Sequence, residues 1–223
     1  MLPNSADTLS LPVVETFHSL QGEGTHAGRS AFFIRLAGCS VGCHWCDTKL
    51  SWPAAVHPMV SLDELALQAC NAGMAGAAFL VITGGEPLEH NLTTLCTVLR
   101  ETINTRTSLD LPLHLETSGV NQLSGAFDWI TLSPKSHNPP TPQLLAACHE
   151  LKVVVHTPED LTFAEAMARA ALDSRSSQGS TEPRLLLQPG DCCPKGLQLA
   201  IEYVKTHPLW RLSLQTHKLL GLR

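Results

Sequence analysis

The feature that most limits the fold is an alternation along the chain. Short apolar runs end in polar or glycine-rich turns, and helical patterns separate most of them. Strands are expected at residues 13–18, 31–37, 77–82, 113–116, 128–132, 151–155, 184–187 and 209–215. Helices are expected at 92–103, 142–149, 161–171 and 197–205, with another opened by Ser61 as N-cap and Glu64 at the capping-box offset. Strand–helix repeats of this kind build a parallel sheet, with the turns that follow the strands gathered on one rim. A complete eightfold barrel takes about 250 residues, and this chain has 223. The expected fold is therefore α/β: an incomplete, TIM-like β/α barrel, open on one side. A loose arm is expected over 1–12 and a single domain over 13–223. Residues 49–59 read as a loop that could act as a lid, and 174–182 as a polar surface loop.

The chemistry concentrates in Cys39, Cys43 and Cys46, spaced C-x3-C-x2-C with no fourth cysteine nearby. Thiolates are the usual ligands of iron–sulfur clusters, and a four-iron cluster normally takes four of them. Three thiolates leave one iron open to bind and activate a small molecule, as an open position does at other catalytic metals. Two other readings compete: a zinc site that recruits His44 or Asp47 as fourth ligand, and incidental buried thiols. The turn Thr83-Gly84-Gly85-Glu86-Pro87, directly after an apolar strand, tips the balance toward iron–sulfur. Its glycines let the backbone approach a ligand, and Glu86 can accept from an ammonium. Upstream, Gln21-Gly22-Glu23-Gly24 presents an amide and a carboxylate from a tight path. Arg35 interrupts an apolar strand, where an unpaired charge is costly. It is aimed either at an anionic substrate or at a structural ion pair.

Composition excludes several classes. The hydrophobic fraction of 43% supports an ordinary core, while the net charge of −5 and the lack of a basic block argue against direct nucleic-acid binding. The apolar runs are strand-length, so no membrane span is expected. Of the eight cysteines, Cys70, Cys96 and Cys148 fall in helical patterns as buried thiols, and Cys192–Cys193 reads as a loop. The chain is expected in a reduced cytoplasm.

The cysteine decapeptide 39–48 resembles the signature of the radical S-adenosylmethionine (SAM) enzymes. Ser-Leu-Gln-Gly-Glu-Gly before it, Glu-Thr-Ser-Gly, Ser-Pro-Lys and the terminal Arg-Leu-Ser-Leu-Gln-Thr-His-Lys extend the resemblance, over nearly the whole chain, to the 7-carboxy-7-deazaguanine synthase family. Members are carbon–nitrogen lyases of queuosine-type deazapurine biosynthesis. They convert 6-carboxy-5,6,7,8-tetrahydropterin to 7-carboxy-7-deazaguanine with loss of ammonia. The resemblance implies a [4Fe–4S] cluster on Cys39, Cys43 and Cys46, whose open iron holds SAM. Reductive cleavage of SAM gives a 5′-deoxyadenosyl radical that takes hydrogen from C6 of the pterin. No side chain beyond the cluster and SAM is then needed as a catalyst.

The same resemblance implies Mg²⁺ on Thr48. It places SAM against Trp45, Cys46, Asp47, Gly85, Glu86, Ser133, Pro134, Lys135, Gln188, Pro189, Gly190 and Asp191. The pterin falls to Leu20, Gln21, Gly22, Glu23, Arg35, Thr83 and His217, with the main-chain carboxylate of Arg223. A flavodoxin or similar electron donor and a homodimer follow as family expectations. The rival readings are an activase that installs a glycyl radical in a partner protein, and a zinc-stabilised binding module.

Overall fold

The structure is a computed structural model that describes residues 9–175 and 181–222. One nine-stranded sheet organises them, in the order β3-β1-β2-β4-β5-β6-β7-β8-β9. The strands are β1 (Ser10–Leu20), β2 (Ser30–Leu36), β3 (Met59–Ser61), β4 (Leu80–Gly84), β5 (Leu113–Thr117), β6 (Trp129–Leu132), β7 (Glu150–Val155), β8 (Arg184–Pro189) and β9 (Trp210–Leu212). From β2 through β9 every neighbouring pair is parallel. β1 runs antiparallel to both β2 and β3. The helices are α1 (Leu62–Met74), α2 (Thr93–Arg106), α3 (Pro142–Ala147), α4 (Pro158–Arg175), α5 (Pro194–Thr206) and α6 (Thr216–Leu220).

The expected partial barrel is therefore present as an open, curved sheet. Two elements escaped the sequence, β3 and α6, and several boundaries moved. β1 begins at Ser10, because residues 10–12 pair with 59–61; that pairing takes the end of the expected arm and of the expected lid loop into the sheet. Residues 1–8 of the arm, 176–180 of the surface loop and Arg223 lie outside the described residues. The helix expected over 142–149 stops at Ala147, since Glu150 already begins β7. Ser61 does cap α1, accepting from the Glu64 N–H at 3.2 Å.

Side chains alternate across the sheet as strand geometry requires. On β4, Leu80 and Ile82 join Leu65 and Ala69 of α1 and Leu99 of α2 in the large outer core. The inward residues are mostly polar: Arg35 on β2, Thr83 on β4, Glu116 on β5, Thr131 on β6, Lys152 on β7 and Gln188 on β8 all line one internal pocket. Fully burying a large aliphatic side chain is worth roughly 1.5–3 kcal/mol, so the outer layer stabilises a barrel whose interior is left to chemistry.

Two further features bound that interior. At the end where the parallel strands start, Phe79 stacks on His114 with centroids 4.3 Å apart, and His26 meets His114 at 4.8 Å and Trp129 at 4.5 Å. These rings form a floor. On the open flank, β1 and β9 do not pair. The gap is bridged instead by the Gly24 N–H donating to Ser213 Oγ at 3.0 Å and the Thr216 N–H donating to Gly22 O at 2.9 Å.

Candidate active site

The cysteine loop leaves the carboxyl end of β2 and lies along the rim. Cys39, Cys43 and Cys46 all face the internal pocket. Burial pushes the Cys39 and Cys43 thiols above their ordinary value, and neighbouring carboxylates and thiols add to this; Lys135 works the other way at Cys43. A strong cation at the loop would hold Cys39 and Cys43 as thiolates against this. The donor set, three thiols that line one pocket, fits an iron–sulfur cluster by its chemistry.

Directly beneath, the Gly84–Gly85 turn presses against the root of the cysteine loop. The Gly85 N–H donates to Leu36 O at 3.0 Å, and the Glu86 N–H to Gly38 O at 2.8 Å. A Cβ on Gly85 would lie 2.8 Å from Cys39 Cβ and collide with the Gly38 carbonyl. The glycines are thus required by protein packing as well as by any ligand. Glu86 is 1% exposed. One of its oxygens accepts from Thr117 Oγ1 (2.6 Å) and the Leu88 N–H (3.1 Å), the other from the Ser118 N–H (2.8 Å) and hydroxyl. With its lone pairs committed, this carboxylate braces the β4 and β5 turns against each other.

Lower in the barrel, Glu116 organises the polar wall. Gln21 Nε2 donates to one of its oxygens at 2.9 Å and Thr83 Oγ1 to the other at 3.1 Å. Glu23 is ion-paired with Lys152 and accepts from Gln215 Nε2 at 2.8 Å. Burial alone would raise the Glu23 carboxyl, but the Lys152 ammonium outweighs it and holds the group at about 2. Lys152 is itself raised above its ordinary value: burial opposes the charge, and Glu23, Glu116 and Glu150 more than offset it. Arg35 forms the structural ion pair and also faces the pocket. Its Nε donates to Glu15 at 3.1 Å, and the side chain still lines the pocket beside Phe17.

On the rim, Trp45 sits 5.3 Å from the ring of His156, which packs on Gly190. Lys135 donates to Ser133 Oγ at 2.8 Å, and burial lowers its pKa. Thr48 Oγ1 is 3.5 Å from Cys46 Sγ and faces the pocket. His217 reaches in from α6 and lies on Gly22.

The structure brings to this one cavity Leu20 through Glu23, Arg35, the three cysteines, Trp45, Asp47, Thr48, Thr83, Gly85, Glu86, Ser133, Lys135, Gln188 through Asp191, and His217. Pro134 is buried outside the lining. Glu116, Lys152 and Gln215 are there too, with no site role assigned to them from the sequence. Lys152 interrupts an apolar strand just as Arg35 does, and the same signal would have found it.

The family described as "4Fe-4S single cluster domain" matches residues 20–121. The 7-carboxy-7-deazaguanine synthase of Prochlorococcus marinus is 54% identical over 95% of this chain and 98% of its own length. The chain belongs to the 7-carboxy-7-deazaguanine synthase family. The Synechocystis enzyme of that name is 47% identical over 97% of this chain and 95% of its own. The crystal structure of QueE from Escherichia coli superposes with a TM-score of 0.75 at 29% identity, covering 96% of this chain and 100% of that one. Membership makes the chain a radical SAM lyase that uses a [4Fe–4S] cluster and SAM and acts on a small molecule. The glycyl-radical activase and the zinc module are set aside.

Proposed function

We infer that this enzyme converts 6-carboxy-5,6,7,8-tetrahydropterin to 7-carboxy-7-deazaguanine and ammonia in deazapurine biosynthesis. The observation that carries this reading is convergence: the three thiols, the β4 glycine turn and the Gln21–Glu23 turn open onto one cavity. Cys39, Cys43 and Cys46 would hold the cluster. SAM would lie on the rim among Trp45, Cys46, Asp47, Gly85, the Ser133–Lys135 turn and the Gln188–Asp191 turn. Bound together, the cluster and SAM supply one-electron chemistry that abstracts hydrogen from the substrate.

The chain's own residues place and enclose. Gln21, Arg35 and Thr83 are set toward the deeper part of the cavity, where Arg35 offers a planar fork to a carboxylate. Glu116 fixes Gln21 and Thr83 by taking a hydrogen bond from each, so the second Gln21 amide N–H and the Thr83 hydroxyl oxygen are preorganised before the pterin arrives. Glu23 shapes the same turn, held by Lys152. His217 covers the cavity over Gly22 and excludes water. Thr48 offers a hydroxyl to Mg²⁺, a hard ion that keeps few protein ligands and can take the rest from water and substrate.

An electron donor of the flavodoxin class, a homodimer and a cytoplasmic location complete the proposal and rest on family membership. Among the described residues no helix is long and apolar enough to cross a membrane. The test is an anaerobic assay with the carboxylated pterin, SAM, Mg²⁺ and dithionite. Formation of the deazaguanine with release of ammonia is expected. SAM consumption without a change in the pterin would refute the assignment.

A further inference from the structure

Lys218 stands at the mouth of the cavity and touches two of its walls at once. Its Nζ lies 2.6 Å from Oδ2 of Asp47 and 3.0 Å from Oδ2 of Asp191. Asp47 directly follows Cys46 on the cysteine loop, and Asp191 closes the turn after β8. Those loops rise from β2 and β8, which are separated by four strands in the sheet. Without the ammonium, two carboxylates would face the same space across the mouth, and like charges there push the loops apart.

The helix that carries Lys218 cannot hold itself in place. α6 has five residues, far below the length at which a helix is stable alone. Its apolar side chains Leu219 and Leu220 are exposed, so burial does not seat it. Polar contacts of its first and third residues decide its position. At one end the Thr216 N–H and hydroxyl both donate to Gly22 O at 2.9 Å, next to the Gln215–Glu23 hydrogen bond. Lys218, the third of the five residues, makes the other contact. Between them His217 turns inward onto Gly22.

We propose that Lys218 is a positioning residue: its single ammonium sets the spacing between the cysteine loop and the turn after β8, and through α6 it seats His217 over the cavity. This rests on the reading that SAM lies between those two loops. SAM affinity is then the first property to change when the ammonium is removed, and turnover at saturation changes least.

The test compares Lys218→Met and Lys218→Arg in the anaerobically reconstituted enzyme, each matched to wild type in iron content and cluster absorption. SAM binding is measured by calorimetry without pterin or reductant, alongside KM and kcat. Loss of two part-exposed ion pairs should weaken SAM binding and raise its KM about five- to twentyfold in the Met variant, with kcat within about twofold. Arginine should restore most of this, because a guanidinium can span two carboxylates. Raising salt from about 0.05 M to about 0.5 M should weaken SAM binding in wild type and leave it unchanged or strengthen it in the Met variant, where only the Asp47–Asp191 repulsion is left to screen. A Met variant that binds SAM as wild type does, or an Arg variant as impaired as Met, overturns the role of Lys218. Wild-type enzyme that binds no SAM overturns the functional reading itself.

Discussion

Lys152→Met isolates the buried charge at the centre of the barrel. Lys152 is 5% exposed, and its partner Glu23 is held at about 2 instead of the usual 4.5. Holding a carboxyl that far down is worth about 3 kcal/mol at neutral pH, and removing one partner of a buried pair typically costs about 3–5 kcal/mol. The sign is set by the depression. The pair's stabilisation is complete above 4.5 and is lost as pH falls from there toward 2. In Lys152→Met the cation is gone and burial pushes Glu23 upward, so the folded protein takes up a proton that wild type refuses. Anaerobic urea unfolding should show the variant less stable by about 3 kcal/mol at pH 7, with the gap narrowing toward pH 5. Adding Glu23→Gln should recover part of the loss, since the carboxylate paired with Lys152 is then gone while Glu116 and Glu150 remain. A gap unchanged between the two pH values, and unrepaired by the second substitution, would mean the loss is one of packing and would refute the electrostatic argument.

Gly22→Ala puts a Cβ 2.6 Å from His217 Cγ and should displace that ring. The expected result is about a tenfold or greater rise in KM for the pterin, largely absent when the change is made in a His217→Ala background. Thr48→Ala should flatten the Mg²⁺ dependence of turnover while leaving the cluster's absorption unchanged; retained Mg²⁺ dependence counts against Thr48 as a ligand. His114 is held at about 3 by burial, with His26 and Arg29 adding to it. Its neutral form stabilises the fold fully above about 6.5, and that contribution falls by about 1.4 kcal/mol per pH unit as pH drops toward 3. His114→Phe should therefore show a shallower acid limb in urea midpoints between pH 7 and 5, with the stack on Phe79 kept.

The parallel strands were legible because each is an apolar run punctuated by a turn whose residues have no place inside a strand. Much of the cavity's lining was legible because the cysteines form one short run and the β4 glycines another. What the chain concealed depends on contacts between distant segments. β3 is three residues long and exists through its pairing with 10–12. α6 is anchored by Gly22, Asp47 and Asp191, and 209–215 read as a longer strand because nothing local marks where Leu212 stops pairing. Glu86 looked like a ligand for an ammonium. Its four donors come from its own turn and from the turn after β5, and that convergence is a property of the fold. Glu116 stood in a recognised motif, and its partnership with Gln21 spans 95 positions.

Among the described residues, aromatic rings lie across the barrel where its strands begin and the Gly22–Thr216 contact bridges its flank, which leaves the rim as the open side. A guest resting on Gln21 and Glu116 lies farthest from it, and one beside Trp45 and Gly190 lies nearest. An outer guest then lies across the path of an inner one, and exchange of the outer guest leaves the inner contacts untouched.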